Sequence, residues 1–332
     1  MKEIRLGTIG SGMIVHAILD CTKQVEGIRL VAAYSRDRAK GEELAAEYGA
    51  SKVYTDMDEF LKDEEMNVVY VASPNSLHYE QSKKALLAGK HVLCEKPFCT
   101  RAEQARELRQ IAREKGLMLI DATPTIFLPN LEILKRELPK VGKVKMVMSS
   151  YSQYSSRYDR LLAGEVPNVF NPKFAGGCLM DINYYNVYLN VLLFGKPQAT
   201  VYYPNIYPGL VDTSGVAVMQ YDGFVGECVG AKDTWGVNTM QIQGEEGFIF
   251  IEGGSNCLLS IRVVTKTSDE TFNQQFEENR WLYEVQEVTK VLLNEDHDFI
   301  EQGLDVMENV VEVIEGARKA AGIFFPGDEC GN

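Results

Sequence analysis

The chain has 332 residues, of which 45% are hydrophobic and 24% charged. This ordinary globular composition excludes a disordered or collagen-like chain. At roughly 150 residues per domain, the length predicts two domains. The 34 Lys and Arg against 47 Asp and Glu give a formal net charge of -13. Such an acidic surface repels phosphate backbones and anionic lipids, so we expect no nucleic-acid partner and no membrane association.

The cysteine pattern and the first residues bear on the cellular compartment. The opening MKEIRLGTIG lacks the pattern of a secretory signal. The longest apolar stretches, such as Val187–Phe194, are far shorter than the roughly 20 residues that span a bilayer. The cysteines at positions 21, 94, 99, 178, 228, 257 and 330 contain no CxxC pair, which favours reduced thiols over a disulfide frame or a zinc site. We therefore expect a cytoplasmic protein without a metal centre.

The first third of the chain alternates short apolar runs with helical patterns. The apolar runs are continuous, which is typical of parallel strands that are buried on both faces. With right-handed crossovers, this order predicts an α/β domain over residues 1–121 with a doubly wound parallel sheet of the Rossmann type. The expected strands are Ile4–Ile9, Ile28–Tyr34, Val53–Tyr54, Val68–Ala72, Val92–Glu95 and Leu117–Ile120, and the expected helices are Met13–Thr22, Arg38–Tyr48, Met57–Lys62, Ser76–Ala88 and Arg101–Lys115.

The pattern changes in residues 122–332. Several segments there alternate apolar and polar residues between Gly and Asp turns, which predicts a second, α+β domain on a mostly antiparallel open sheet. The segment Tyr202–Tyr207 is interpreted as a loop that packs or forms an interface. The expected strands are Lys143–Tyr151, Val216–Tyr221, Phe224–Ala231, Thr239–Gln243 and Phe248–Glu252, and the expected helices are Cys178–Leu193 and Glu284–Ala321.

A glycine turn, Gly10-Ser11-Gly12, joins the first strand to the first helix. The first glycine permits a tight turn, and the second lets a pyrophosphate approach the backbone. The helix that begins with Met13 and Ile14 adds backbone N–H groups and a partial positive charge. A simple structural turn is the alternative. The position of the turn at the first strand–helix junction favours a dinucleotide site over that alternative.

The end of the second strand bears on the choice of dinucleotide. An acidic residue there would bind the ribose 2'-hydroxyl of NAD. This chain instead has Ser35 and Arg36, and a guanidinium can stack on adenine and pair with a 2'-phosphate. We therefore expect NADP in preference to NAD. Asp37 keeps NAD open as the alternative, as does the interpretation of Arg36 as a solvated loop charge.

Two further strand ends carry polar sequences that core packing does not explain. SPNSLH follows one strand at residues 73–78, and EKP follows the next at residues 95–97. Ligands of open α/β sheets bind beyond the carboxyl ends of the strands. A lysine at such an end, Lys96, is therefore a candidate functional residue, with an exposed ion pair at a turn as the alternative.

In combination, these motifs resemble the Gfo/Idh/MocA family of nicotinamide-dependent oxidoreductases. The matching segments are Gly10-x-Gly12, Ala72-Ser73-Pro74-Asn75-x-x-His78, Glu95-Lys96-Pro97 and the run GGCLMDINYY at residues 176–185. They occur in order and cover most of the chain. The run at 176–185 has Tyr185 where the family usually has His, which resembles the glucose–fructose oxidoreductase and dihydrodiol dehydrogenase branch. It also has Asn183 where the family has Gly, and this side chain could fill space near the substrate.

The resemblance implies roles for the matching residues. The cofactor would lie along the strand ends of the first domain, and Lys96 would stand between its nicotinamide and the substrate. The Lys96–Pro97 peptide would be cis, as it often is in such proteins, and the second domain would build a homodimer or homotetramer. The remaining cofactor-binding residues implied are Ser73, Pro74 and Asn75 along the pyrophosphate and ribose, His78 at the start of the next helix, and Glu95 on the nicotinamide ribose.

The catalytic residues implied are Lys96, Asp181 and Tyr185. Asp181 and Tyr185 are four residues apart, so a helix would place them on one face. Oxidation of an alcohol needs a hydride acceptor and a base. A phenol titrates near 10, and a neighbouring ammonium favours its ionised form. We expect Tyr185 to exchange the proton, Lys96 to stabilise charge on the substrate oxygen, and Asp181 to position the hydroxyl or Lys96.

These observations predict an NAD(P)-dependent oxidoreductase acting on a sugar, polyol or diol. The alternative is a non-catalytic dinucleotide-binding regulator of the same fold, which the presence of Lys96, Asp181 and Tyr185 disfavours. A hydrolase or lyase reaction has no supporting residue in the sequence.

Overall fold

The computed structural model describes residues 1–328, which form two compact units. The first unit comprises Met1–Thr123 together with Glu277–Glu308. The second comprises Pro124–Phe276 and, among the described residues, 309–328. A segment near the C-terminus therefore belongs with the N-terminal sheet.

The sheet of the first unit has six parallel strands in the order β3-β2-β1-β4-β5-β6. This order and the helices between the strands confirm the predicted Rossmann-type fold. Most strand residues are buried, and β4 is buried throughout. The strands are Ile4–Ile9 (β1), Ile28–Tyr34 (β2), Lys52–Tyr54 (β3), Val68–Val71 (β4), His91–Glu95 (β5) and Leu119–Ala122 (β6); the helices are Met13–Thr22 (α1), Arg38–Tyr48 (α2), Met57–Leu61 (α3), His78–Leu87 (α4) and Ala102–Lys115 (α5).

The second unit contains an eight-stranded sheet in the order β14-β13-β12-β11-β7-β10-β9-β8. Only the pair formed by β7 and β10 is parallel, so the predicted mostly antiparallel sheet is confirmed. The helices are Pro129–Glu137 (α6), Tyr158–Leu162 (α7), Cys178–Asp181 (α8) and Asn183–Phe194 (α9); the strands are Val144–Ser152 (β7), Ala199–Ile206 (β8), Asp212–Tyr221 (β9), Phe224–Ala231 (β10), Thr239–Gly244 (β11), Gly247–Glu252 (β12), Ser260–Thr265 (β13) and Asp269–Phe272 (β14).

The interpretation of the Tyr-rich segment as a loop is wrong, because these residues form most of β8. Tyr202 of this strand is buried, and its hydroxyl donates to Asp212 on the neighbouring strand at 2.6 Å. Tyr203 points to the opposite face and is 64% exposed. The alternation was concealed in the sequence because β8 is an edge strand with tyrosines on both faces and a proline within it.

Helix α9 lies on β10 through a ladder of buried asparagines. Asn183, Asn186 and Asn190 are all completely buried. The Asn183 amide donates to the Cys228 carbonyl at 2.9 Å, and the Asn186 amide donates to the Val229 carbonyl at 2.9 Å. Because these donors reach backbone acceptors of one strand, they fix the register of the helix on the sheet.

A glycine of β10 permits this close approach. A Cβ atom on Gly230 would lie 2.5 Å from the Cβ of Asn183, which no real pair of side chains tolerates. The strand therefore has glycine where the helix crosses it.

The predicted C-terminal helix Glu284–Ala321 is two helices in the structure. They are Trp281–Asn294 (α10) and His297–Ala320 (α11). Glu295 lies between them in the left-handed region with φ 53°, and the Asp296 carboxylate accepts from the backbone N–H of Phe299 at 3.0 Å. A residue in the left-handed conformation ends the first helix, and the acidic N-cap that follows it starts the second. Within residues 1–328, no helix is both long and apolar enough to cross a membrane.

Candidate active site

Four strand ends bring the predicted cofactor-binding segments to one edge of the first unit. β2, β1, β4 and β5 are consecutive parallel neighbours, so their carboxyl ends lie at the same edge. Gly10 follows β1, Ser35 follows β2, Ser73 lies shortly beyond β4, and Lys96 follows β5. This is the edge at which doubly wound sheets bind their ligands.

The glycine turn has the geometry of a phosphate cradle. Gly10 has φ 119°, and a Cβ there would lie 2.5 Å from the carbonyl oxygen of Ala72. Gly12 is the N-cap of α1 and makes no side-chain capping bond. A Cβ on Gly12 would meet no chain atom within 4 Å. The fold therefore requires the first glycine, whereas the second leaves open space at a helix N-terminus. This space fits an anionic pyrophosphate. Ser11 lies between the two glycines, and Met13 and Ile14 are in the first turn of the helix.

The three residues after β2 have different structural roles. The Ser35 hydroxyl is largely buried and accepts from the backbone N–H of Asp37 at 3.2 Å. Asp37 caps α2, and its Oδ1 accepts from the backbone N–H groups of Ala39 and Lys40 at 3.1 and 3.4 Å. Arg36 is exposed. The acidic residue that sequence reasoning weighed as a ribose ligand is therefore engaged in capping a helix.

His78 connects two of the predicted cofactor-binding segments. It is 1% exposed, with Nδ1 2.9 Å from the Pro97 carbonyl oxygen and Nε2 2.7 Å from the Ser73 carbonyl oxygen. Burial lowers the pKa of His78, although both carbonyls act in the opposite direction. Both ring nitrogens contact the chain itself, so the residue holds the Ser73 turn against the turn that carries Lys96. The peptide between Lys96 and Pro97 is cis, as expected from the resemblance.

Glu95 lies in a buried carboxyl pair beneath the same edge. It is 7% exposed and accepts from the Tyr70 hydroxyl at 2.6 Å. Glu284 of α10 is 1% exposed, and neither of its side-chain oxygens has a hydrogen-bond partner. Burial raises the pKa of both carboxyls, and the charge of Glu95 raises the pKa of Glu284 further, to well above its ordinary value. Burial beside Glu95 therefore favours the neutral form of Glu284.

In the second unit, Asp181 and Tyr185 lie on successive helices. Asp181 is the last residue of α8, and Tyr185 is in the first turn of α9; Ile182 stands between the two helices. Tyr185 is 6% exposed, and its ring packs edge-on against Tyr151 with a centroid distance of 5.8 Å. The continuous helix that was predicted is thus interrupted between these two residues.

Sequence reasoning missed Lys232. This lysine follows β10, is 3% exposed, and donates from Nζ to Oδ2 of Asp181 in an ion pair. The Asp181 side chain is 29% exposed. The available signal was a lysine at the end of a buried strand in the sequence AKDTW, but it is 51 residues from its partner and belongs to no motif of the resemblance.

The sequence suggested that the Asn183 side chain could fill space near the substrate. Its side chain is completely buried between α9 and β10. The departure from glycine is matched by Gly230 opposite it, so the change serves helix–sheet packing.

Within residues 1–328, no group of three or more His, Cys, Asp or Glu side chains could hold a metal ion. The six cysteines of this part are free thiols, and Cys330 lies outside the described residues.

Known proteins are similar to this chain over almost its whole length. The chain is 34% identical over 329 residues to scyllo-inositol 2-dehydrogenase (NADP(+)) IolU of Bacillus subtilis (strain 168), with 98% of this chain and 99% of that protein covered. It is 27% identical over 342 residues to trans-1,2-dihydrobenzene-1,2-diol dehydrogenase of Homo sapiens, with 98% and 99% covered. Among solved structures, KijD10, a 3-ketoreductase from Actinomadura kijaniata in complex with NADP and TDP-benzene, matches the fold with a TM-score of 0.83 at 20% identity, with 96% of this chain and 97% of that chain covered.

The parallel sheet, its glycine turn and the polar strand ends are typical of a dinucleotide-binding domain. Residues 4–122 match the model of the oxidoreductase family with an NAD-binding Rossmann fold, and residues 139–250 match the GFO/IDH/MocA C-terminal domain. The chain belongs to the Gfo/Idh/MocA family of oxidoreductases.

Proposed function

We propose that this protein is an NAD(P)-dependent oxidoreductase that transfers a hydride between the nicotinamide and a hydroxyl or carbonyl carbon of a sugar, polyol or diol. The observation that carries the proposal is the open, uncapped helix N-terminus at Gly12, at the same sheet edge as Lys96. The names of the relatives, which act on an inositol and on a dihydrodiol, support the substrate class.

The dinucleotide would be held by residues of the first unit. Gly10, Ser11 and Gly12, with the backbone N–H groups of Met13 and Ile14, would bind the pyrophosphate. Bound in this way, the nicotinamide supplies the hydride acceptor or donor. The residues that would line the rest of the dinucleotide are Ser35, Arg36, Ser73, Pro74, Asn75 and Glu95, with His78 holding their turns together.

We propose NADP as the preferred dinucleotide. Asp37 uses Oδ1 to cap α2, which leaves the exposed Arg36 as the charged group after β2 that can meet a 2'-phosphate. The NADP named with the inositol dehydrogenase and with the ketoreductase supports this choice.

Lys96, Asp181 and Tyr185 would act on the substrate. The Lys96 ammonium would donate to the reacting oxygen and stabilise its negative charge during oxidation. The Tyr185 phenol would exchange the hydroxyl proton, and Asp181 would accept a hydrogen bond that orients the substrate hydroxyl. In reduction, Tyr185 would donate the proton.

A substrate panel tests this proposal. Purified protein is mixed with NADP+ or NAD+ and with scyllo-inositol, myo-inositol, glucose or a trans-diol, and the absorbance of reduced nicotinamide is followed. We expect Lys96→Ala to lower kcat by about 1,000-fold while the dinucleotide Kd stays within about threefold. Lys266→Ala, at a 75% exposed side chain, is the control. Near-normal turnover of Lys96→Ala would contradict the role of Lys96, and dinucleotide binding without any turnover would support a sensor.

The identity of the proton carrier has its own test. Tyr185→Phe removes only the hydroxyl, whereas Asp181→Asn removes the carboxylate charge and with it the ion pair to Lys232. We expect Tyr185→Phe to lower kcat more than Asp181→Asn does in the same assay. The reverse order would identify Asp181 as the proton carrier.

We also propose that the protein forms a homodimer or homotetramer through the outer face of the second sheet. α9 covers the other face, through Asn190 and Ser149 among other contacts. Apolar residues of adjacent strands share the outer face in register, and several are 40% exposed or more. The outer face includes Met146, Met148, Val201, Tyr203, Val216, Val218 and Val225.

Light scattering after size exclusion checks this interface. Val225→Asp should dissociate the oligomer, whereas Val237→Asp, exposed but outside this face, should not. A monomeric wild type would contradict the interface.

The free thiols support the further proposal of a cytoplasmic location.

A further inference from the structure

We propose that Lys232 is a positioning residue for substrate binding, because it holds the Asp181 carboxylate in the orientation that accepts the substrate hydroxyl. This inference rests on the proposed function and adds a residue to it. Its basis is a buried cation that reaches a partly exposed carboxylate within the second unit.

The backbone of Lys232 is fixed on both sides. Its N–H donates to the Thr213 carbonyl at 2.8 Å, which extends the pairing of β9 and β10. Its carbonyl oxygen accepts from the N–H of Ser155 at 2.9 Å. The ammonium also lies 5.7 Å from the centroid of the Phe170 ring. The lysine therefore projects from a rigid support, and an aromatic face covers part of its charge.

The other acidic groups near Lys232 have donors of their own. Asp212 accepts from the Leu179 N–H and from the Tyr202 hydroxyl, each at 2.6 Å. Asp233 accepts from the Thr213 hydroxyl at 2.7 Å and from the Ser214 hydroxyl at 3.0 Å. Within residues 1–328, the carboxylate within 4 Å of the Lys232 ammonium is that of Asp181.

Lys232 and Asp181 differ in burial, and this difference indicates different roles. Lys232 cannot reach a ligand without leaving its site, since its side chain is 4% exposed, whereas the Asp181 side chain is 29% exposed. The buried thiol of Cys178 is close to the same charges, and burial raises its pKa well above the ordinary value, so it remains neutral. The pair thus presents a carboxylate that is held in place by a buried counter-ion, which suits a hydrogen-bond acceptor for a hydroxyl.

The test compares four proteins: wild type, Lys232→Met, Asp181→Asn and the double variant. Lys232→Met should lower kcat/KM for the best polyol by about 100-fold, because a carboxylate without its buried partner changes protonation and orientation. The acidic limb of its pH profile should move to higher pH by about one unit or more. In the Asp181→Asn background, the same lysine change should cost less than about threefold, since its effect passes through the carboxylate.

Conservative and surface variants separate positioning from general damage. Lys232→Arg keeps the charge and should recover at least about tenfold of the activity lost in Lys232→Met. Lys196→Met removes an exposed ion pair with Glu312 in the same unit and should leave kcat/KM unchanged. If Lys232→Met does not fold, the double variant, which leaves no unpaired buried charge, should fold and match Asp181→Asn.

A binding measurement distinguishes failure of this inference from failure of the proposed function. Scyllo-inositol is titrated into each protein saturated with NADPH, and heat or thermal stabilisation reports binding without turnover. Wild-type binding that Lys232→Met weakens tenfold or more supports the inference even if no turnover occurs. Equal binding and turnover in wild type and Lys232→Met, or multiplicative effects in the double variant, would overturn it. If wild type neither binds nor turns over any member of the panel, both are overturned.

Discussion

The neutral Glu284 predicts a stability that falls as pH rises. In the unfolded chain this carboxyl has an ordinary pKa near 4.5, whereas burial beside Glu95 raises the pKa of the folded group well above that value. Between the two pKa values, the folded state binds one more proton than the unfolded state. The free energy of unfolding must therefore decrease with pH, by about 1.4 kcal/mol per pH unit for this group.

Glu284→Gln replaces the carboxyl with an amide of nearly the same shape that cannot titrate. We expect the slope of unfolding free energy against pH to become less negative by about 1.4 kcal/mol per unit at pH values above 4.5 and below the raised pKa of the folded group. Urea unfolding of both proteins at several pH values in this interval measures the difference. The variant should therefore gain stability relative to wild type as pH rises.

A control on the same helix sharpens the measurement. Glu287→Gln removes a carboxylate that is 43% exposed and pairs with Lys290 at 3.2 Å, so its slope should match that of wild type. Parallel curves for wild type and Glu284→Gln would refute the reasoning, because they would mean that the folded protein ionises this carboxyl together with the unfolded chain.

Three further predictions concern single residues. Gly10→Ala should lower the free energy of unfolding by about 1–3 kcal/mol, because its Cβ would clash with the Ala72 carbonyl; thermal unfolding without ligand measures this loss. Gly12→Ala should leave this stability unchanged and weaken dinucleotide binding in a fluorescence titration. Arg36→Ala should weaken NADP+ binding by about tenfold or more and leave NAD+ binding within about twofold, in the same titration. Arg318→Met should cost about 3–5 kcal/mol in urea unfolding, because it strands the buried carboxylate of Asp328; a change below about 1 kcal/mol would contradict the importance of this pair.

The N-terminal part of the first unit, Met1–Thr123, could be predicted closely. β1, α1, β2 and α2 occupy the predicted bounds, because continuous apolar runs alternate there with glycine turns and an acidic cap such as Asp37. Local signals suffice when each strand is buried on both faces and each helix has its own start and stop. Residues 277–308, which the sequence analysis assigned to the second domain, cluster with the first unit through contacts distant in sequence.

The second unit could be predicted only in part. Short strands at the sheet edges, such as β14, have exposed residues and no alternation to detect. The same limit applies to Lys232, whose significance depends on a partner on another element. Motif resemblance found Lys96, Asp181 and Tyr185 as candidates, and their joint action remains a prediction. Neither motif nor periodicity could show the neutral Glu284, because its state depends on burial beside Glu95.

The asparagine ladder of α9 has a consequence for how new substrate preferences could arise. A shift of the helix by one residue would break the hydrogen bonds that the side-chain amides of Asn183, Asn186 and Asn190 donate. The phenol of Tyr185 therefore cannot move along the sheet in small steps. We therefore expect variation in substrate preference to occur in the surrounding loops, while Tyr185, the proposed proton carrier, keeps its position on the sheet.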